Sequence, residues 1–349
     1  MLVQVCPQET GGVRDYADCL AREWAARGVD TRLLEGERGE LQRRLEALLE
    51  SEGRLAIVLH FSGYGYAARG LCGWLADALS AVMSANPARV RLVVVFHELF
   101  AGGPPWRSAF WLSPWQSQVA RRLASLADSV WTNTQHHAAW LRRVVGDGQA
   151  LPVHPVFSNI GEATDLVPWR HRSAHAVVFG SSGTRRRAFV ALRSHAAALE
   201  RLRITEIVEA GDGDPQADAT LALPAKHLGR LSTSELGGLL ARSRFAILDY
   251  PARYLGKSGV FAAYAAHGCA VVNTFALERD ADGLRLDAHY LNVRAPFTAD
   301  VDRIEAMATR LHHWYGEHSL ALQARELLEL ARGGDAALAP RLRVLSVPS

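Results

Sequence analysis

Two short stretches concentrate the side chains that could hold an anion. In FGSSGTRRRAF a strand-like run ends at Gly180, a small polar loop with Ser181 follows, and Arg185, Arg186 and Arg187 stand where a helix should begin. Guanidinium forks beside free helix N–H groups make a diphosphate site. Three arginines there also oppose the helix dipole unless an anion compensates them. The competing reading is a solvated basic turn. In FAILDYPARYLGKSGVF the chain leaves a strand at Asp249 and Tyr250, and Gly256, Lys257, Ser258 and Gly259 open a second helix. Lys257 and that helix start form a second anion site, although Ser258 is also a good N-cap. A third, weaker signal is the glycine pair before Val13: Gly12 allows close backbone approach at a helix start, or is a plain turn. Neither G-x-x-x-x-G-K-[ST] nor G-x-G-x-x-G occurs, which argues against a Walker loop and against dinucleotide binding.

His97 and Glu98 directly follow the run VRLVVVF. Reactive side chains project from the carboxyl ends of strands in α/β sheets, and a histidine there can contact a sugar or move a proton near neutral pH. The plainer alternative is a histidine bonded to a loop carbonyl. Asn133, in SVWTNTQ, ends the next strand and either lines the same edge or helps to cap the helix that follows, with His136 and His137 at its start. The segment GGPPWRSAFWLSPWQSQVARRLA gathers Trp106, Phe110, Trp111 and Trp115 beside Arg107, Arg121 and Arg122. Such a mixture suits sugar stacking in an acceptor region, a peripheral membrane contact, or a loop folded over the core.

These residues need elements to hold them. Apolar runs at 2–6, 31–34, 55–60, 90–96, 129–132 and 153–157 alternate with helical spacings in the first half. The stretch 158–173 (SNIGEATDLVPWRHRS) carries Pro, Gly and charge without a period and reads as a linker. The alternation then restarts: strands at 176–180, 204–210, around 227–229, 245–249 and 269–273, and helices at 186–202, 234–242, 258–267, 301–318 and 320–331. Strands alternating with helices imply parallel sheets with right-handed crossovers. The expected fold class is α/β, with two facing Rossmann-like domains and the ligand cleft between them. The N-terminal domain is expected at 1–160, the linker core at 161–173, and the C-terminal domain at 174–349. The last helices are expected to pack back on the first domain.

At 349 residues, with 49% hydrophobic and 21% charged residues, the chain has the size and make-up of about two globular domains. A net charge of +3 supplies no broad basic field, so no nucleic-acid partner is expected. Cys6, Cys19, Cys72 and Cys269 fit no zinc or disulfide spacing and read as reduced thiols, which favours a cytoplasmic location. No metal site and no cofactor are expected. The N-terminus lacks the pattern of a signal peptide, and no apolar run is long enough to span a bilayer.

Taken in order, GGVRDYADCLAREWAARGVD, ADSVWTNTQHHAAWLRR, VVFGSSGTRRRAF, HLGRLSTSELGGLLARSRFAILDY and GKSGVFAAYAAHGCAVVN resemble the retaining GT-B glycosyltransferases of family 4, the group 1 enzymes. The resemblance implies a nucleotide-sugar donor in the C-terminal domain, a carbohydrate or other hydroxyl acceptor in the N-terminal domain, and metal-independent transfer. It makes His97 the cleft histidine, and Lys257 with one of Arg185–Arg187 the diphosphate ligands. One departure stands out: the family's Glu-x7-Glu positions fall on Gly256 and Tyr264. Ribose recognition is then expected to fall to other groups, with Asp249, Tyr250 and Tyr264 the nearest. The alternative is a GT-B-like protein that binds nucleotide or sugar without catalysis, or that partners an active subunit. A third reading is a phosphosugar enzyme such as an epimerase.

Overall fold

Short runs of apolar residues form the strands of two sheets, and every strand pairing in both is parallel. The computed structural model describes residues 1–333 except 9, 10, 147, 150, 216–220 and 222, so the end of the expected second domain, 334–349, lies outside the described residues. The first sheet contains β1 (Leu2–Cys6), β2 (Thr31–Glu35), β3 (Leu55–Phe61), β4 (Val90–Phe96) and β5 (Ser129–Thr132), in the order β2-β1-β3-β4-β5. The second contains β6 (Ser173–Phe179), β7 (Ile207–Ala210), β8 (Ala225–His227), β9 (Ser243–Leu248), β10 (Ala270–Asn273) and β11 (Leu291–Asn292), in the order β11-β10-β9-β6-β7-β8. Central strands such as β1 and β4 are apolar almost throughout because helices cover both faces.

The helices are α1 (Gly12–Ala26), α2 (Leu41–Glu52), α3 (Gly63–Tyr66), α4 (Gly73–Ala85), α5 (Ser108–Leu126) and α6 (Gln135–Val145) in the first half. The second half adds α7 (Ser182–Arg193), α8 (Ala196–Arg201), α9 (Thr233–Ala241), α10 (Gly259–Ala266), α11 (Val301–Gly316) and α12 (Leu320–Arg332). Both strand orders reverse beside their first strand, at β1/β3 and at β6/β9. Crevices at the carboxyl ends of such switch points are where ligands bind in open α/β sheets.

One apolar core runs between the two sheets. It joins Leu20, Trp24, Val58, Val93 and Trp131 of the first half to Phe261, Tyr264, Ala324 and Leu327 of the second. Helix α12 lies against α1, β3 and β4. There the Trp24 indole donates to Ala324 O (2.7 Å), the Arg91 guanidinium to Leu330 O (2.7 Å), and the Tyr16 hydroxyl to Gln323 Oε1 (2.7 Å).

Three local expectations change, and one strand is unexpected. The run at 153–157 makes only a single bridge, Thr132 to Val153, because Pro152 and Pro155 cannot donate to a ladder. The helix expected at 186–202 is two helices, α7 and α8, broken at Ser194–His195. The tryptophan-rich segment, for which a loop folded over the core is one reading, contains the 19-residue α5 with Pro114 inside it. The two-residue β11 is too short to leave a sequence signal.

Candidate active site in the cleft

The carboxyl ends of the two sheets meet. Lys257, at the end of a 3-10 turn spanning Ala252–Lys257, places its ammonium 3.2 Å from Glu98 Oε1, just beyond β4, and 5.4 Å from the centre of the Tyr254 ring. These groups, with Phe100, Gln116 and His137, line a cavity of about 330 Å³. A larger open groove of about 940 Å³ lies between the halves near Gln135, Asp282, Arg310 and Trp314. Lys257 precedes α10 rather than opening it. Ser258 is the cap, its hydroxyl accepting from Phe261 N (3.2 Å), and Gly259 is the first helical residue. A methyl group on Gly259 would sit 3.6 Å from Asn159 Oδ1, and Asn159 Nδ2 donates to Asp15 of α1 (3.2 Å). Asn159, which belongs to no motif, therefore stands between the starts of α1 and α10. Helix α1 begins at Gly12 after Gly11, which has no side chain to cap the first turn.

Behind Glu98, buried side chains fix the state of His97. Gln4 Nε2 donates to Ala17 O (3.2 Å); a carbonyl only accepts, so Gln4 Oε1 must be the atom 2.9 Å from His60 Nε2. His60 Nε2 therefore carries the proton, and burial holds the ring neutral with a pKa of about 3. His60 Nδ1 is left as an acceptor for His97 Nε2–H at 3.2 Å. His97 then presents a bare Nδ1. Burial, followed by the nearby His60, Lys257 and His137, pushes its pKa well below the usual imidazole range. Tyr16 packs edge-on against His97 at 4.8 Å between ring centres. Asn133, beside His97, donates Nδ2 to His154 O (3.0 Å), and its Oδ1 is buried without a hydrogen-bond partner among the described residues. His97 and Asn133 are both buried beside each other behind Glu98, and neither lines the cavity. Gln4 and His60 escaped the sequence reading because they sit inside strands, where a polar residue gives no motif.

On the second sheet, two expected ligands are corrected. Arg185 is fully buried and forms an ion pair with the equally buried Glu209 of β7. Helix α7 begins at Ser182 rather than at 186, which puts Arg185 on the inward stripe with Ala188, Phe189 and Leu192. Arg186 and Arg187 are left on the exposed face, and Arg187 Nε lies 3.6 Å from Asp249 Oδ1. Ser181 caps α7, accepting from Thr184 N (3.4 Å). Tyr264 is also fully buried. Its hydroxyl accepts from Phe179 N (3.2 Å) and faces the carbonyls of Val177 (3.2 Å) and Ile247 (3.1 Å), tying β6 to β9 and leaving nothing for a ribose. Asp249 Oδ2 accepts from Thr274 (2.9 Å), while Tyr250 is half-buried and its hydroxyl pKa is raised by burial.

Gly256 has a steric reason. A Cβ there would lie 2.8 Å from Asp282 Oδ2 and 3.2 Å from Asn133 O. Asp282 Oδ1 accepts from Gln135 N (2.7 Å), so this carboxylate from the second half caps α6 of the first, and burial raises its pKa to about 6. Trp106 and Trp111 are exposed on the outer side of α5 rather than turned into the cavity.

Two parallel α/β sheets joined at their carboxyl ends across a cleft are the GT-B class of fold. Solved glycosyltransferases share it over nearly the whole chain. An α-glucosyltransferase in complex with UDP and a 13-mer DNA containing an HMU base superposes with a TM-score of 0.60 at 10% identity, covering 95% of this chain and 99% of that one. A trehalose-6-phosphate protein from E. coli bound with UDP-2-fluoro glucose gives 0.54 at 10% identity, with coverage of 95% and 99%. A UDP-forming α,α-trehalose-phosphate synthase from Burkholderia xenovorans gives 0.51 at 13% identity, with coverage of 85% and 78%. At these identities the likeness is one of fold. No protein-family model matches the chain, and no curated protein sequence is similar to it. The exclusion of nucleic acid from net charge is corrected: a protein of this fold is described in complex with DNA, so a modest overall charge does not rule such a partner out.

Proposed function

We propose that this chain is a glycosyltransferase that moves a sugar from a nucleoside-diphosphate sugar to a hydroxyl acceptor, a glycan, a lipid-linked sugar or a small molecule. The observation that carries the reading is Lys257, which joins the second sheet's carboxyl edge to Glu98 beside His97, with Arg186 and Arg187 exposed in the second turn of α7. The diphosphate lies on Lys257, Arg187 and the first turns of α7 and α10. These positive groups stabilise the departing diphosphate, so transfer needs no metal ion. The sugar lies in the cavity toward Glu98 and His137, with His97 buried behind them as the cleft histidine. Asp249 and Tyr250 at the end of β9 serve the nucleoside. Retention of configuration and membership of family 4 rest on the five sequence segments.

Complexes of the same fold with UDP and with UDP-2-fluoro glucose make uridine donors the first to test. Calorimetric titration should find a nucleoside diphosphate that binds, and release of UDP from its sugar should accelerate when the acceptor is supplied. Failure of every nucleoside diphosphate to bind would remove the proposal. The second reading, a non-catalytic binder, is favoured by one observation: neither Gly256 nor Tyr264 supplies a carboxylate to the cleft. Binding of a donor with no hydrolysis and no transfer would favour it.

A further inference from the structure

Four of the ten large hydrophobic side chains that stand exposed among the described residues lie within ten positions of each other: Trp106 (83% exposed), Phe110 (42%), Trp111 (64%) and Trp115 (64%). Two more, Tyr64 and Leu71, belong to the neighbouring turn, which Gln116 of α5 ties in place by donating to Arg69 O (2.6 Å) and Tyr64 Oη (3.2 Å). Helix α5 buries Gln116, Val119, Ala120, Leu123 and Ala124, so the rings of Phe110, Trp111 and Trp115 project from its opposite side. Core packing therefore does not account for them.

The charge along α5 itself is basic, although Arg122 is paired with Asp77 of α4 (2.5 Å) and Glu98 stands at the cavity. No Asp or Glu occurs from 99 to 127, whereas Arg107 and Arg121 are exposed on α5 or beside it, and Arg69 is exposed on the adjoining turn. A helix surface carrying two indoles, with a third on the turn before it and flanking guanidinium groups, matches the interface of a lipid bilayer. Indoles settle there at headgroup depth, and arginines meet anionic phosphates. Single-stranded nucleic acid is stacked in a charged groove, and these indoles line neither the cavity nor the open groove between the halves. No described helix is long and apolar enough to cross a membrane, so the contact would be peripheral. We infer that the outer face of α5, with the 64–71 turn, docks the protein on an anionic phospholipid surface. Phe100, Ala101 and Gly102, which lead into this face, also line the cavity, so docking brings the cavity mouth to the lipid.

The test is sedimentation of the full chain with vesicles of phosphatidylcholine, with and without phosphatidylglycerol, in the absence of any sugar donor. It is thereby independent of the glycosyltransferase reading, which UDP titration tests separately. The expected result is binding to phosphatidylglycerol vesicles that weakens with salt, accompanied by a blue shift of tryptophan emission. Trp111→Ser with Trp115→Ser should lower the partition coefficient about tenfold or more, and Arg107→Glu about fivefold. If the double variant does not fold, as judged by circular dichroism, Trp106→Ser alone replaces it. No binding to anionic vesicles would overturn the inference, as would binding unchanged in the variants. Fluorescence anisotropy with a DNA oligonucleotide completes the test: DNA binding that the same variants abolish, with no vesicle binding, would assign the face to nucleic acid.

Discussion

Lys257 and Glu98 face each other at 3.2 Å, and this one contact joins the loop after β9 to the carboxyl end of β4. The sequence places an anion-seeking lysine at this point. The fold supplies it with a carboxylate 159 positions away, so the lysine has a partner before any ligand arrives. A diphosphate must compete with Glu98 for it. Lys257→Ala should therefore weaken nucleoside diphosphate binding about ten- to a hundredfold. Glu98→Gln should strengthen it up to about fivefold, since a partly exposed ion pair is worth roughly 0–1 kcal/mol. Calorimetric titration of both variants reads the opposite signs; a Lys257→Ala protein that binds like the original would take Lys257 out of the donor site.

His97 should act as a neutral ring throughout the ordinary pH range. Burial holds His60 at about 3 and His97 well below its usual value, so neither gains a proton between pH 5 and 8. A rate profile is expected to show no acidic limb near 6.5, and a limb there would contradict this state. Because unfolding releases rings that protonate below about 6.5, their linked stability falls as pH drops through that value. His97→Ala should lower turnover more than donor affinity. His60→Ala, which removes the acceptor of His97 Nε2–H together with the donor to Gln4 Oε1, should lower turnover about tenfold while UDP affinity holds.

The three adjacent arginines should separate by phenotype. Arg185→Ala leaves Glu209 buried without its guanidinium partner and is expected to cost about 3–5 kcal/mol in chemical denaturation. Arg186→Ala and Arg187→Ala should change stability by less than about 0.5 kcal/mol, and Arg187→Ala should weaken UDP binding. Equal stability of all three variants would refute the burial argument.

Asp282 should make the junction between the halves sensitive to pH. Its pKa is raised from 3.8 to about 6 by burial, so the folded chain holds a proton there that the unfolded chain has already lost. Stability from this group is fully present below about 3.8 and is lost as pH rises through 6. Asp282→Asn keeps an oxygen for the Gln135 N–H without the charge. It should be more stable than the original by about 1–3 kcal/mol at pH 8 and no different at pH 4, as read by urea denaturation at both values.

Much of the architecture was legible in the order of the residues. Runs such as VRLVVVF and AVVF, each followed by helical spacing, mark parallel strands and crossovers because period and apolarity are local properties of the chain. The same local chemistry marked His97, Lys257 and the arginine triplet as candidates. The sequence could not say which way each side chain would turn. A start to α7 four residues earlier than expected sends Arg185 into the core and leaves its neighbours outside. Tyr264 became a strap between β6 and β9 because three backbone groups converge on its hydroxyl. Gln4 and His60 gained a role only when β1, β3 and β4 were laid side by side. Composition and periodicity determine which segments are helix and strand. Burial, charge pairing and proton position depend on neighbours distant in sequence, and only the packing of the two sheets brings those neighbours together.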